Sequence, residues 1–209
     1  MASIVVSGDT SGAVTLSAPN VAGTTTVTLP SSTGTMALLQ TPSFATTIGV
    51  GGATASSSGA GISFPATQSA SSDANTLDDY EEGTWTPVVV GGTTAGTGTY
   101  SLQIGRYTKI GNTVRIYFAV AWSAHTGTGK TIVTGFPFSS NAGNQTPFAV
   151  FTYGETFTAN NVANGGIMSN GVTQWEHWQV PVGGGNGSGI PIYNGTAEIQ
   201  LSGVYQTAS

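Results

Sequence analysis

The sequence predicts an all-β protein, and three observations carry that reading. Over residues 114–122 (VRIYFAVAW) every even position is large and apolar while the odd positions are Arg115, Tyr117, Ala119 and Ala121. That is the period of a strand with one buried face. Short β-branched runs recur along the whole chain between Gly, Pro and Asn turn signals. No stretch shows the 3.6-residue periodicity of an amphipathic helix.

Taken in order, three zones emerge. Residues 1–40 form an N-terminal arm of β-rich pieces at 3–6, 13–16 and 26–29, in which Val14-Thr15-Leu16 returns as Val27-Thr28-Leu29 and each copy is soon followed by proline (Pro19, Pro30). A segment of about 40 residues rarely buries enough surface to fold alone, so the arm is expected to pack on copies of itself or on a larger particle. Residues 41–76 read as a Gly/Ser/Thr-rich connector. Positions 51–61 are low-complexity, and Ile62 and Phe64 alternate around Ser63 before Pro65, marking a short strand. Residues 77–209 hold all four tryptophans and form the C-terminal head. Its clearest unit is a hairpin, residues 106–110 turning through Gly111-Asn112 into 114–122. Alternation resumes at Ile132, Thr134 and Phe136, ahead of Pro137, and further strands are expected at 85–90, 99–104, 148–152, 172–180 and 197–205. Many short strands with frequent turns predict an antiparallel, jelly-roll-like β-sandwich.

Composition narrows the function. Only 6% of the 209 residues are charged, against about 25% in typical soluble proteins. The net charge is -5 with four basic residues, Arg106, Lys109, Arg115 and Lys130, too few to neutralise a phosphate backbone. Nucleic acid and anionic lipid are therefore not expected partners. With no cysteine, disulfides, zinc-thiolate sites and thiol catalysis are removed together, and toughness must come from elsewhere, such as burial between chains. The start, MASIVVSGDT, lacks the basic and apolar regions of a secretory signal. No apolar run approaches the ~20 residues of a membrane span, so no membrane insertion is expected. Such a chain fits an extracellular particle assembled inside a cell.

Several motifs invite chemistry. AHTGTGKT (124–131) has the spacing of a permissive phosphate loop. A working loop of that kind opens a helix, whereas TIVTGFP (131–137) is β-branched and then broken by Gly135 and Pro137. No aspartate follows Asp79 to hold Mg²⁺. The loop is expected to close a hairpin, with Gly127 and Gly129 at positive φ and Lys130 solvated. Asp78, Asp79, Glu81 and Glu82 hold four of the nine acids. A Ca²⁺ site is one reading, but the spacing matches no calcium loop and a solvated junction is the expectation. QWEHWQ (174–179) is the most sugar-friendly stretch. On a strand, Trp175, His177 and Gln179 share one face and Glu176 and Trp178 the other. A tryptophan beside polar groups can stack on a pyranose, although one in the core and one at a subunit contact is the plainer account. Trp175, His177, Trp178 and Tyr193, near the Gly-rich loop 183–189, are the candidate glycan contacts.

No catalytic, cofactor-binding or metal site is expected. A nucleophile elbow and a His-Glu-x-x-His pattern are both absent, and His125 and His177 are the only histidines. A glycosidase carboxylate pair drawn from Glu155, Glu176 and Glu198 would be set by the fold, not by spacing.

The pieces resemble a family. Residues 11–19 (SGAVTLSAP) and 22–35 (AGTTTVTLPSSTGT) are similar to the short β-rich repeat near the start of many bacteriophage tail fibre and related virion proteins. NTLDDYEEGTWTP (75–87) resembles the junction opening their C-terminal β domain, and YTKIGNTV (107–114) and TGFPF (134–138) resemble its next landmarks. The resemblance touches all but the low-complexity middle and the last third. It implies a virion structural protein assembled in the host cytoplasm, an intertwined homotrimer whose residues 1–40 attach to other tail or capsid proteins. Its head would contact a host cell-surface glycan. It carries no fixed catalytic residues. The chain departs from the family in lacking a long fibrous shaft and a self-cleaving chaperone segment. A short tail fibre or receptor-binding protein is therefore expected, with a purely architectural tail-tip, adaptor or head-decoration protein as the alternative.

Overall fold

The computed structural model describes residues 3–7, 13–17, 47–56, 58–59, 61–67, 71–73, 75–143 and 145–207. These residues form fifteen strands and no helix, and the all-β expectation holds. The chain divides into two compact units, Met1–Ser43 and Phe44–Ser209.

In the first unit β1 (Ser3–Ser7) and β2 (Ala13–Ser17) pair antiparallel, Ser3 opposite Ser17 and Ser7 opposite Ala13. The first copy of the Val-Thr-Leu repeat lies in β2. The second, at 27–29, and most of the arm expected over 1–40 lie outside the described residues.

The second unit opens with a short parallel pair, β3 (Thr47–Gly49) and β4 (Gly61–Ser63), within the expected connector. The remaining strands are β5 (Tyr80–Trp85), β6 (Val88–Gly91), β7 (Gly98–Ile110), β8 (Thr113–His125), β9 (Thr131–Thr134), β10 (Thr146–Phe148), β11 (Val150–Tyr153), β12 (Asn161–Met168), β13 (Gln174–Pro181), β14 (Ser188–Gly189) and β15 (Ala197–Gln206). They form two antiparallel sheets. A five-stranded sheet runs β11-β15-β8-β7-β5, and a six-stranded sheet runs β10-β12-β13-β9-β6 with β14 beside β13.

One apolar core joins the two sheets. The even positions of β8 (Val114, Ile116, Phe118, Val120, Trp122) point inward, and across β15 the buried Ala197, Ile199, Leu201 and Tyr205 align with them. The other sheet contributes Val89, Val133, Phe148, Met168 and Trp175. Aromatic rings interlock between the sheets, Phe118 meeting Trp175 edge-on at 6.1 Å and Trp85 meeting Phe136 at 4.8 Å. The edge-on pair is one of the favoured ring geometries, and Trp85 and Phe136 meet at a tilt of 43°. The hairpin expected at Gly111-Asn112 joins β7 to β8, with Gly111 at φ 54° as the first central residue of the turn.

Three expected elements need correction. AHTGTGKT does not close a hairpin: β8 belongs to the five-stranded sheet and β9 to the six-stranded one, so residues 126–130 cross from sheet to sheet. The run 85–90 is two strands in different sheets. Its break falls at Thr86-Pro87, where proline has no N–H to give a ladder. The run 148–152 divides likewise at Ala149 between β10 and β11.

Candidate functional site

The family-like stretches converge on one junction. β5 pairs with β7 so that Tyr80 faces Ile110 and Trp85 faces Gly105. This register sets Asp79 beside Lys109, and both are buried and form an ion pair. Glu81 Oε1 accepts a 2.5 Å hydrogen bond from the Tyr107 hydroxyl. Lys109 Nζ lies 5.6 Å from the Phe138 ring centroid, and Tyr107 meets that ring edge-on at 5.4 Å. Tyr205 closes the cluster by donating to the Phe138 carbonyl at 3.0 Å. Glycine is required at two cross-strand positions because a ring covers each: the Tyr107 side chain lies where a Cβ on Gly83 would stand, and Trp85 does the same over Gly105. The acidic run is therefore half strand, with Asp79 and Glu81 turned inward to partners, and Asp79 corrects the expectation of a wholly solvated junction. No group of three or more His, Cys, Asp or Glu suited to a metal ion occurs among the described residues.

The junction has a pH signature. The hydrogen bond to Glu81, then burial, then the Glu81 charge push the Tyr107 phenol up to about 12. Burial also pushes Tyr205 upward, partly offset by its bond to Phe138. Folding thus favours the neutral phenol. The stabilisation is complete below the unfolded value of about 10 and is lost as pH rises from there through about 12. The thermal midpoint should stay level up to about pH 10 and then fall. Tyr107→Phe should make that fall shallower, with the remainder set by the other phenols that burial raises, Tyr205 and Tyr100; an identical slope in the variant would contradict this assignment.

The candidate glycan contacts are not brought onto one surface. Trp175 and His177 are each 0% exposed. They face inward on β13, and their ring centroids lie 5.0 Å apart. Alternation along the strand put them on one face as expected, but that face is the core side. Trp178 points outward and is half-buried beneath β14, whose Gly189 is its cross-strand partner. Tyr193 is half-buried against the core, and its carbonyl accepts a 2.8 Å bond from Trp122 Nε1. A single ring-stacking platform built from these four residues is thereby ruled out.

The three glutamates occupy three environments. Glu155 is buried, with Oε2 3.0 Å from His177 Nδ1 and accepting a 2.5 Å bond from Thr152 Oγ1. The histidine contact is close but not aligned as a hydrogen bond, and it packs the segment after β11 against β13. Glu176 pairs with Lys130 at 2.7 Å on the outer side of the six-stranded sheet, and Glu198 stands on the outer side of the five-stranded sheet opposite Tyr153. No two of them face each other across a groove.

In the 126–130 crossover the amides of Thr126, Gly127 and Thr128 are already used. Gly127 N–H donates to His125 Nδ1 at 2.9 Å and Thr128 N–H to the Thr94 carbonyl at 3.0 Å. His125 therefore carries its proton on Nε2, which donates to the Val89 carbonyl at 3.0 Å. Only Gly129 of the two loop glycines has a positive φ, at 87°, and Lys130 is paired, not free in solvent.

One surface stands apart. Register and burial place Ile104, Arg106, Thr108, Arg115, Tyr117, Ser202, Val204, Phe151 and Tyr153 together on the outer face of the five-stranded sheet. Phe151 and Tyr153, on the edge strand β11, are 61% and 66% exposed. A concavity of about 340 Å³ lies at the centre, where Arg106, Thr108, Arg115, Tyr117 and Ser202 contribute to its lining. The alternation of β8 already set Arg115 and Tyr117 opposite the core. That β11 shares their side depends on a pairing with β15 nearly fifty residues away, which no local pattern signals. No protein-family model, curated protein or solved structure matches the chain.

Proposed function

We propose that the chain is a structural protein of a bacteriophage particle, a short homotrimeric tail fibre or receptor-binding protein whose head adheres to the host cell surface. The observation that carries this reading is the junction. The three separate stretches that resemble tail fibre proteins meet in space through Asp79 with Lys109, Glu81 with Tyr107, and Phe138 against both Lys109 and Tyr107. Short motifs that fit one another as a single packed unit support the resemblance better than their order alone. In this reading the two sheets form a jelly-roll-like sandwich within an intertwined trimer, and residues 1–40 attach to other tail or capsid proteins. Adhesion is multivalent: three weak sites on one rigid assembly raise avidity without new contacts.

The burial of Trp122 and Trp175 and the half-burial of Trp85 and Trp178 favour a second reading, an architectural tail-tip, adaptor or decoration protein that touches no receptor. Two measurements separate the readings. Immunogold labelling of intact particles is expected to place the chain on the tail, and the purified protein is expected to bind the propagating bacterium and block adsorption. Labelling without blocking leaves the architectural role, and absence from the particle removes both.

A further inference from the structure

We propose that the outer face of the five-stranded sheet is the contact between copies of the chain. The ridge of Phe151, Tyr153 and Glu198 on one copy seats in the concavity formed by Arg106, Arg115 and Tyr117 on the next. The inference rests on the trimer reading above and gives that assembly its interface.

Charge is the first argument. Of the four cations, Lys109 is matched by Asp79 and Lys130 by Glu176. Arg106 and Arg115 pair with no carboxylate among the described residues. They are nonetheless diagonal neighbours on adjacent strands, Arg106 opposite Tyr117 and Thr108 opposite Arg115. Like charges so placed repel, and on a chain of net charge -5 an external carboxylate relieves them. Glu198 supplies one: it accepts only from the Gln200 amide and stands directly beside Tyr153.

Shape and chemistry are the second. Phe151 and Tyr153 are the most exposed aromatics among the described residues, and they stand on an edge strand with no lysine, proline or charge to protect it. Such an edge is normally covered. Aromatic rings and arginine are the residues enriched at the centres of protein interfaces, where guanidinium groups stack on rings, and the 340 Å³ concavity offers that seat. Ridge and socket are different patches, and in the trimer of the reading above each ridge meets the socket of the next copy, a head-to-tail contact that closes as a ring.

The test uses the full chain, sedimentation equilibrium and circular dichroism. The native chain is expected to be a trimer. Phe151→Ser with Tyr153→Ser, and separately Arg106→Gln with Arg115→Gln, are expected to raise the dissociation concentration at least tenfold while the β spectrum persists. The arginine pair is exposed and makes no contact the fold needs, so it guards against a variant that merely unfolds. Arg115→Glu alone should dissociate the trimer, and adding Glu198→Arg should restore it. A trimer indifferent to every variant overturns this interface and leaves the trimer intact. A monomeric native chain overturns the trimer reading itself. Binding of galacturonic acid oligomers that is lost in the arginine variant, with the trimer unchanged, would make the arginines a site for acidic sugars and overturn the contact.

Discussion

Lys109→Ala is expected to lower the unfolding free energy of the second unit by about 3–5 kcal/mol, the usual cost of breaking a buried pair from one side. The amine and its partner Asp79 are both withdrawn from water. Removing the amine strands a carboxylate in the interior and also removes the stem and charge that lie over Phe138. The pair is not irreplaceable. Well-packed apolar residues of similar volume often substitute for a buried ion pair without loss, so Asp79→Leu with Lys109→Met should recover most of the deficit. Urea denaturation followed by tryptophan fluorescence measures both. A loss below about 1 kcal/mol for Lys109→Ala, the level of an exposed pair, would show that the junction is peripheral to the fold.

Trp175→Ala carries the next largest effect, about 3–5 kcal/mol. The indole is fully buried, packs edge-on against Phe118 and lies against His177. Its benzene edge fills the space over Gly166 on β12, where any Cβ would overlap both the ring and the Glu176 carbonyl. The hole left by alanine is bounded by sheet backbone, which relaxes little, so the cavity term adds to the transfer term. Gly166→Ala attacks the same contact from the other side and should also destabilise. Trp178→Ala, on the half-covered outer side of the same strand, should cost clearly less. Comparable midpoints for the two tryptophan variants would mean that β13 does not present its faces as described.

The strands whose partners are local were legible in the sequence. Residues 114–122 alternate because one face of β8 is core and the other is open, and the Gly111-Asn112 turn fixes its pairing with β7. What stayed hidden depends on distant partners. β12 reads NVANGGIM, with glycines where side chains would announce a strand, because Trp175 occupies the space over Gly166 and the Phe148 carbonyl closes on Gly165, which sits at φ 100°. The runs 85–90 and 148–152 each looked continuous, since hydrophobicity does not mark where a chain leaves one sheet for the other. Trp175 and His177 showed the right alternation, but alternation cannot say which face is inward. The acidic run looked solvated because its matching cation, Lys109, arrives from thirty positions downstream.

β15 lies between β8 and β11 in the five-stranded sheet, which puts the order of synthesis at odds with the order of pairing. The β7 and β8 hairpin can form as soon as it emerges, but the free side of β8 waits for residues 197–206, and β11 has no place in the sheet until they arrive. At about 5–20 residues per second, the roughly 80 intervening positions leave that edge unpaired for several seconds or more. Closure of the sheet is then a slow, long-range step of the kind that sets folding times of milliseconds to seconds in β proteins. During this interval the nascent sheet is an open edge beside other nascent copies, and chaperones have their clearest opportunity to act on it.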